Sequence, residues 1–319
     1  MRAYQEQIRD TRLDGIKFIL IVLVVFGHLR QFTICDEDNF SIMIVRRLTH
    51  VIYLFHMPLF IMISGYFSRK KESNSFWVSI IRLIRIYLLF HIIWIAIDLL
   101  NNNQLDYTRF FYPSFSLWYI HCLILWRILL QYIPSSLIDK PLLIFFISSF
   151  IAILGGFIPV SNFLALQRFF TFMPLFFIGY YSREYRWLEI IDRIKWHYFI
   201  FLVPLLFIDF KVIIDIWGRA PYNSLFDVIR RIVFLISSLF LSIGFIKLVP
   251  SKVTNLFCIE GKNVLFYYMY HSLLLYVIAL LLMSANIIAD GFVLLLVFFS
   301  TLLLLFYLRK ASFLQIPLR

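Results

Sequence analysis

Charge is scarce in this 319-residue chain: Asp, Glu, Lys and Arg together make only 15% of it. Soluble domains carry about 25%. Cysteine is scarcer still, with Cys35, Cys122 and Cys258 far apart and odd in number. That spacing excludes a disulfide framework and offers neither a zinc nor a redox motif. Long polar segments are lacking too, so no separate soluble domain is expected, and residues 1–319 read as one integral-membrane unit. Met1 to Arg12 is polar and no small-residue cleavage site follows the first apolar run, unlike a cleaved leader. No low-complexity stretch or clear internal repeat is seen.

What is abundant is apolar surface, at 62% of residues. Apolar runs recur along the whole chain, and about 20 residues suffice to cross a hydrocarbon core. The expected fold is an all-α polytopic bundle of about ten transmembrane helices. The spans read as 14–33, 49–67, 80–100, 114–133, 141–158, 164–181, 197–216, 226–247, 263–284 and 287–308. A net charge of +12 does not point to nucleic acid, because the basic residues sit in short loops between spans. Alternate loops and the two termini hold 21 of the 30 Lys and Arg, and the other loops and adjoining helix ends hold 9. Basic residues stay cytoplasmic. Both termini are therefore expected in the cytoplasm of a cell membrane, the inner or plasma membrane. Arg46-Arg47 and Arg230-Arg231 fall on the minority side, which leaves room for other work.

Lys17 and His28 interrupt the first span. Eleven residues apart, they return to nearly one helix face, about 16 Å apart along the axis. Ionisable groups at such depth usually face the protein interior or a wet cavity. A structural reading has Lys17 snorkelling to the interface and His28 hydrogen-bonded in packing. A functional reading has a cation greeting an anionic ligand at the cytoplasmic mouth and an imidazole working deeper in, where a pKa near neutrality suits a general base. Asp14 reads as a helix cap or as partner of a nearby basic residue.

Other segments bear on that choice. Arg82 and Arg85 share a helix face at the cytoplasmic start of the third span, a fork suited to phosphate or simply a positive-inside anchor. In the run Phe55 to Phe67, Pro58 frees backbone groups, and Ser64 and Gly65 allow close helix approach. Trp118 and Tyr119 fit an interfacial belt or a sugar-stacking surface. Arg168 precedes another apolar run that contains Pro174, and His271 is a second intramembrane histidine in the ninth span. The sequence does not place His28 and His271 together.

Together these segments resemble the acyltransferase 3 family of integral-membrane acyltransferases, and within it the branch related to fucose 4-O-acetylases. The resemblance covers nearly the whole chain. The family spaces a basic residue and a histidine as Lys17 and His28 are spaced, more often with arginine first; lysine keeps the charge and loses the bidentate fork. Its Arg-x-x-Arg motif matches Arg82 and Arg85. The segments Phe55 to Tyr66, Ser116 to Tyr119, Pro174 to Tyr180 and Tyr268 to His271 also match, in order.

The resemblance implies transfer of an acyl group, commonly acetyl from acetyl-CoA as co-substrate, to a hydroxyl of a cell-surface sugar or lipid-linked glycan. No metal is implied. The family's catalytic histidine maps to His28, and its donor-handling arginines map to Arg82 and Arg85. Lys17 joins these as a donor-side cation, and Trp118, Tyr119, Arg168 and His271 are acceptor-wall candidates. A transporter or flippase of a lipid-linked glycan is the alternative, although it needs neither a base nor a phosphate fork. A membrane glycosyltransferase would need an acidic base or a long external loop; Asp14, Asp98 and Asp209 lie near span ends. Acceptor identity and oligomeric state are not legible.

Overall fold

The structure is a computed structural model and describes residues 11–102, 106–160, 162–195, 197, 220–250 and 253–318. It is built of helices, with one isolated bridge between Cys35 and Ala289 among the described residues. The long elements are α1 (Thr11–Phe32), α2 (Phe40–Phe67), α3 (Ser73–Asn102), α4 (Trp118–Tyr132), α5 (Pro141–Leu154) and α6 (Leu166–Ser182). They continue as α7 (Trp187–Arg193), α8 (Phe226–Leu248), α9 (Asn255–Lys262), α10 (Val264–Ser284) and α11 (Gly291–Leu308). Seven segments, built on α2, α3, α4, α6, α8, α10 and α11, are long and apolar enough to cross a membrane by length and composition. α5 with its following turn is shorter, and α1 is a further apolar helix of 22 residues. The expected span 197–216 lies almost wholly outside the described residues.

α1 is largely apolar and contacts four other helices. It packs against α2, α9, α10 and α11, and Ile16, Leu20, Val24 and Val25 have no exposed surface. A helix greasy all round belongs in a core or in lipid; here it is the core. α11 is the opposite case, with Phe292, Phe299 and Leu303 exposed as on a lipid-facing wall.

A close crossing joins α2 and α6, and both carry the run Met-Pro-Leu-Phe followed by Gly-Tyr, at Met57 and at Met173. A Cβ on Gly65 would sit 2.0 Å from the Phe176 carbonyl oxygen, and one on Gly179 would sit 1.9 Å from that of Met62. The two glycines therefore let backbone touch backbone, the small-residue packing that membrane helices use in place of a hydrophobic drive. α9 meets α1 in the same way, with Gly261 against the Asp14 carbonyl.

Arg231 shows what one of the minority-side arginines does. It is fully buried, and it donates to the carbonyls of Ala152 (3.2 Å) and Ala220 (3.1 Å) and to Gln167 Oε1 (3.3 Å). Gln167 in turn donates to Gly155 and Ile158, so one guanidinium ties α8 to the turn after α5 and to the start of α6. Arg231→Leu leaves those three acceptors buried without that donor, at about 1–3 kcal/mol each. The apparent Tm in detergent is expected to fall by ~5 °C or more. An unchanged melting curve would show that the tie is dispensable.

Candidate active site

His28 sits on the last two turns of α1, half-buried, with its ring centroid 5.1 Å from that of His271 on α10. Two histidines 243 positions apart in sequence thus meet inside the bundle. His28 Nδ1 lies 2.7 Å from the Val24 carbonyl oxygen. His271 Nδ1 lies 2.8 Å from that of Tyr268 and 3.2 Å from that of Tyr267. A carbonyl only accepts, so each Nδ1 carries the hydrogen, and in the neutral ring the lone pair is on Nε2. His271 Nε2 is buried and unpartnered among the described residues.

A third imidazole joins them that sequence reasoning had not singled out. His56 donates Nδ1–H to the Ile52 carbonyl (2.8 Å), and its Nε2 is likewise buried without a partner among the described residues. Its ring stacks on Tyr53 at 5.1 Å, and Tyr53 faces His28 at 6.3 Å. The Tyr53 hydroxyl donates to the Gly27 carbonyl at 2.7 Å, fixing α2 against the histidine turn of α1. The available signal was depth: His56 lies two residues before Pro58, in a segment already marked as broken helix. Among the described residues no group of three His, Cys, Asp or Glu side chains is gathered closely enough to hold a metal.

The four acceptor-wall candidates converge on the same place. From His271 an aromatic chain runs to Tyr268 (5.9 Å), on to Tyr119 (5.2 Å) and then to Trp118 (6.3 Å). Arg168 lays its guanidinium on the Trp118 ring at 4.7 Å, the geometry of a cation–π contact, and lies near enough to act electrostatically on His28. The Tyr119 and Ser64 hydroxyls are 2.5 Å apart, and the Tyr268 hydroxyl donates to the Ser116 carbonyl. The segment Ser116 to Tyr119 is thereby pinned to both α2 and α10.

The donor-side candidates are not gathered in that way. Lys17 Nζ is 2.7 Å from the Asp14 carboxylate, itself almost wholly buried, and 5.0 Å from the centre of the Phe67 ring. Asp14 is thus the partner of a basic residue. Arg82 donates from Nε and Nη2 to the Leu318 carbonyl, and Arg85 stands exposed one turn further along α3.

The Acyltransferase domain model matches residues 10–310, nearly the whole chain. The nodulation protein NolL of Sinorhizobium fredii (strain NBRC 101917 / NGR234) is 34% identical over 115 residues, which is 30% of this chain and 31% of that protein. The NolL of Mesorhizobium japonicum (strain LMG 29417 / CECT 9101 / MAFF 303099) is 28% identical over 235 residues, 67% of this chain and 58% of its own length. The chain therefore spans less than two thirds of the curated relatives it matches. No solved structure matches it. With the family model covering almost every described helix, the chain belongs to the acyltransferase 3 family of membrane acyltransferases.

Proposed function

We propose that the protein moves an acetyl group from acetyl-CoA to a hydroxyl of a cell-surface sugar or lipid-linked glycan, as a relative of the fucose 4-O-acetylase branch. The observation that carries this reading is the His28 ring. Its Nδ1–H is held by the Val24 carbonyl at 2.7 Å, which leaves Nε2 as the base. In this scheme Nε2 takes the proton from the acceptor hydroxyl as that oxygen attacks the thioester carbonyl. The tetrahedral intermediate collapses, the C–S bond breaks, and the imidazolium returns the proton to the departing thiolate. The Val24 carbonyl then plays the orienting part that a carboxylate plays in a catalytic triad, holding the tautomer and stabilising the imidazolium. A covalent route, with Nε2 itself taking the acetyl group, uses the same nitrogen and the same carbonyl.

Arg168, held on the Trp118 ring and near enough to act electrostatically on His28, is assigned to meet negative charge on the thioester oxygen in the transition state. Arg82 and Arg85, with Lys17, are assigned to the phosphates of the donor at the cytoplasmic end, where both termini are also assigned. Arg85→Gln is the clean test because Arg85 is exposed and no tie to it is seen among the described residues. It is expected to raise the KM for acetyl-CoA about ten-fold with kcat kept, the signature of lost uniform binding. An unchanged KM would remove Arg85 from the donor site.

The test of the whole reading uses purified protein in nanodiscs, given acetyl-CoA and a membrane glycolipid extract. Free thiol should appear only when both are present, with a mass increase of one acetyl group on the glycan. No thiol from folded protein that binds no donor would overturn the reading in favour of transport.

A further inference from the structure

Beyond the histidines, where α1 ends, the structure holds a cavity of about 210 Å3. It is lined by Gln31 and Phe32 of α1, Trp94, Asp98 and Asn101 of α3, Phe115 and Tyr276. None of these was a candidate from sequence. We infer that this cavity binds one pyranose ring of the acceptor and that the stacked rings of Phe32, Trp94 and Phe115 are its platform. The inference rests on the acyl-transfer reading for the fate of the sugar's hydroxyl.

The cavity's position argues first. Gln31 and Phe32 follow His28 by three and four residues, so they share its helix face about one turn further out. The Gln31 carboxamide donates to the Tyr53 hydroxyl at 3.1 Å, and Tyr53 is the ring that faces His28. On α10, Tyr276 stands five residues beyond His271. Both helices that bring the histidine pair together therefore also wall the cavity.

The chemistry of the lining argues second. Phe115 lies 4.5 Å from Phe32 with the rings 12° from parallel, and 4.5 Å from Trp94 at 29°. Tyr276 closes the stack edge-on, 5.8 Å from Trp94. Ring faces carry negative potential and favour the positive C–H face of a sugar. Around this platform stand groups that pair with hydroxyls. The Asn101 amide and the Tyr276 hydroxyl meet at 2.8 and 3.0 Å, and Asp98 is held at 3.1 Å by Arg109. Arg109 follows Asp106, whose carboxyl is held below its usual range by the hydroxyl and the backbone N–H of Thr108. An apolar floor with a few convergent polar groups is the make-up of a small-ligand site. Its volume is below the ~300–1,000 Å3 of drug-sized pockets, which suits one ring with the rest of the glycan outside.

The backbone argues third. Phe115 has φ 47°, a conformation that L residues other than Gly, Asn and Asp rarely adopt. Strain of this kind is found where a side chain is aimed at a ligand, and here it aims a ring that stays 39% exposed into the stack.

Phe115→Gly gives the decisive variant. It deletes the ring while placing at φ 47° the residue that accepts that angle without strain. The measurement is saturation-transfer difference NMR on the full protein in nanodiscs. The probes are methyl α-L-fucopyranoside, methyl β-D-glucopyranoside and methyl N-acetyl-β-D-glucosaminide, with benzyl alcohol as an apolar ring of similar size. At least one glycoside should show transfer to its ring protons in the wild type. His28→Ala should keep that signal, and Phe115→Gly and Asn101→Ala should each lose five-fold or more of it. No glycoside signal in folded wild type, signal from benzyl alcohol alone, or signal unchanged in Phe115→Gly would overturn the inference. Thiol release from acetyl-CoA is read separately. Its absence in wild type would overturn acyl transfer, while the glycoside signal would still report the cavity.

Discussion

His28→Ala protein is expected to be made, to stay monodisperse in detergent, and to lose acyl transfer by about 10²–10⁴-fold, the usual worth of a positioned base. The size of the loss follows from the tautomer. With the hydrogen on Nδ1 committed to Val24, the reacting proton has one nitrogen to go to. His28→Gln keeps a polar side chain of similar length but has no basic nitrogen, so it should fail almost as badly. Folding should survive in both, because the ring makes one side-chain hydrogen bond, to its own helix, and the neighbouring Val24 and Val25 already seal α1 into the core. A variant that is folded and acetylates normally would end the proposed mechanism. His271→Ala is the informative companion. If His271 only positions His28, its loss should lower kcat and leave the KM for both substrates near wild type.

Gly179→Ala should do the reverse and remove the protein rather than its chemistry. One methyl group at this position would lie 1.9 Å from the Met62 carbonyl oxygen and 2.6 Å from its carbon. Those are backbone atoms of α2, so no side chain can swing aside. α2 and α6 must separate by more than an ångström along their tightest contact, and close-packed interiors do not deform at that scale without loss. Overpacking usually costs about 1–3 kcal/mol, and a clash on backbone should sit at or beyond the upper end. Detergent extracts should show a strongly reduced monodisperse peak on gel filtration. The same result is expected at Gly65, where the clash is with Phe176. A Gly179→Ala protein that melts within a degree or two of wild type would mean that the crossing is looser than drawn.

Much of this molecule is legible in its sequence because each helix declares itself locally. The apolar runs give α1 to α6, α8, α10 and α11 to within a few residues at most ends. Lys17 with Asp14 follows from their three-residue spacing, and the depth of His28 follows from counting along one helix. What is not legible is anything that depends on how the helices turn toward one another. The meeting of His28 with His271 is a contact between α1 and α10, and no periodicity within either helix records it. Hydropathy is also blind to α1's rank. A helix surrounded by protein and a helix surrounded by lipid read alike, since both environments are apolar. For the same reason the sequence reports Gly65 and Gly179 only as small residues and says nothing of their reciprocity. The repeated Met-Pro-Leu-Phe and Gly-Tyr runs are too short to mark a repeat by themselves, and only the crossing of the two helices gives them meaning.

The one-turn offset between the His28 nitrogen and the ring platform of Phe32, Trp94 and Phe115 separates two things that selection can act on independently. Asp98 and Asn101 lie in the last turns of α3, and neither they nor Tyr276 belong to the glycine crossings on which the bundle depends. On the proposed reading, substitutions at these three would re-grade sugars without touching the proton's path. If the cavity seats the acceptor as proposed, a lineage could change its acceptor by drift at one rim while the proposed reactive centre stood still. The same rim is where a directed library of a few positions should yield catalysts for new acceptors.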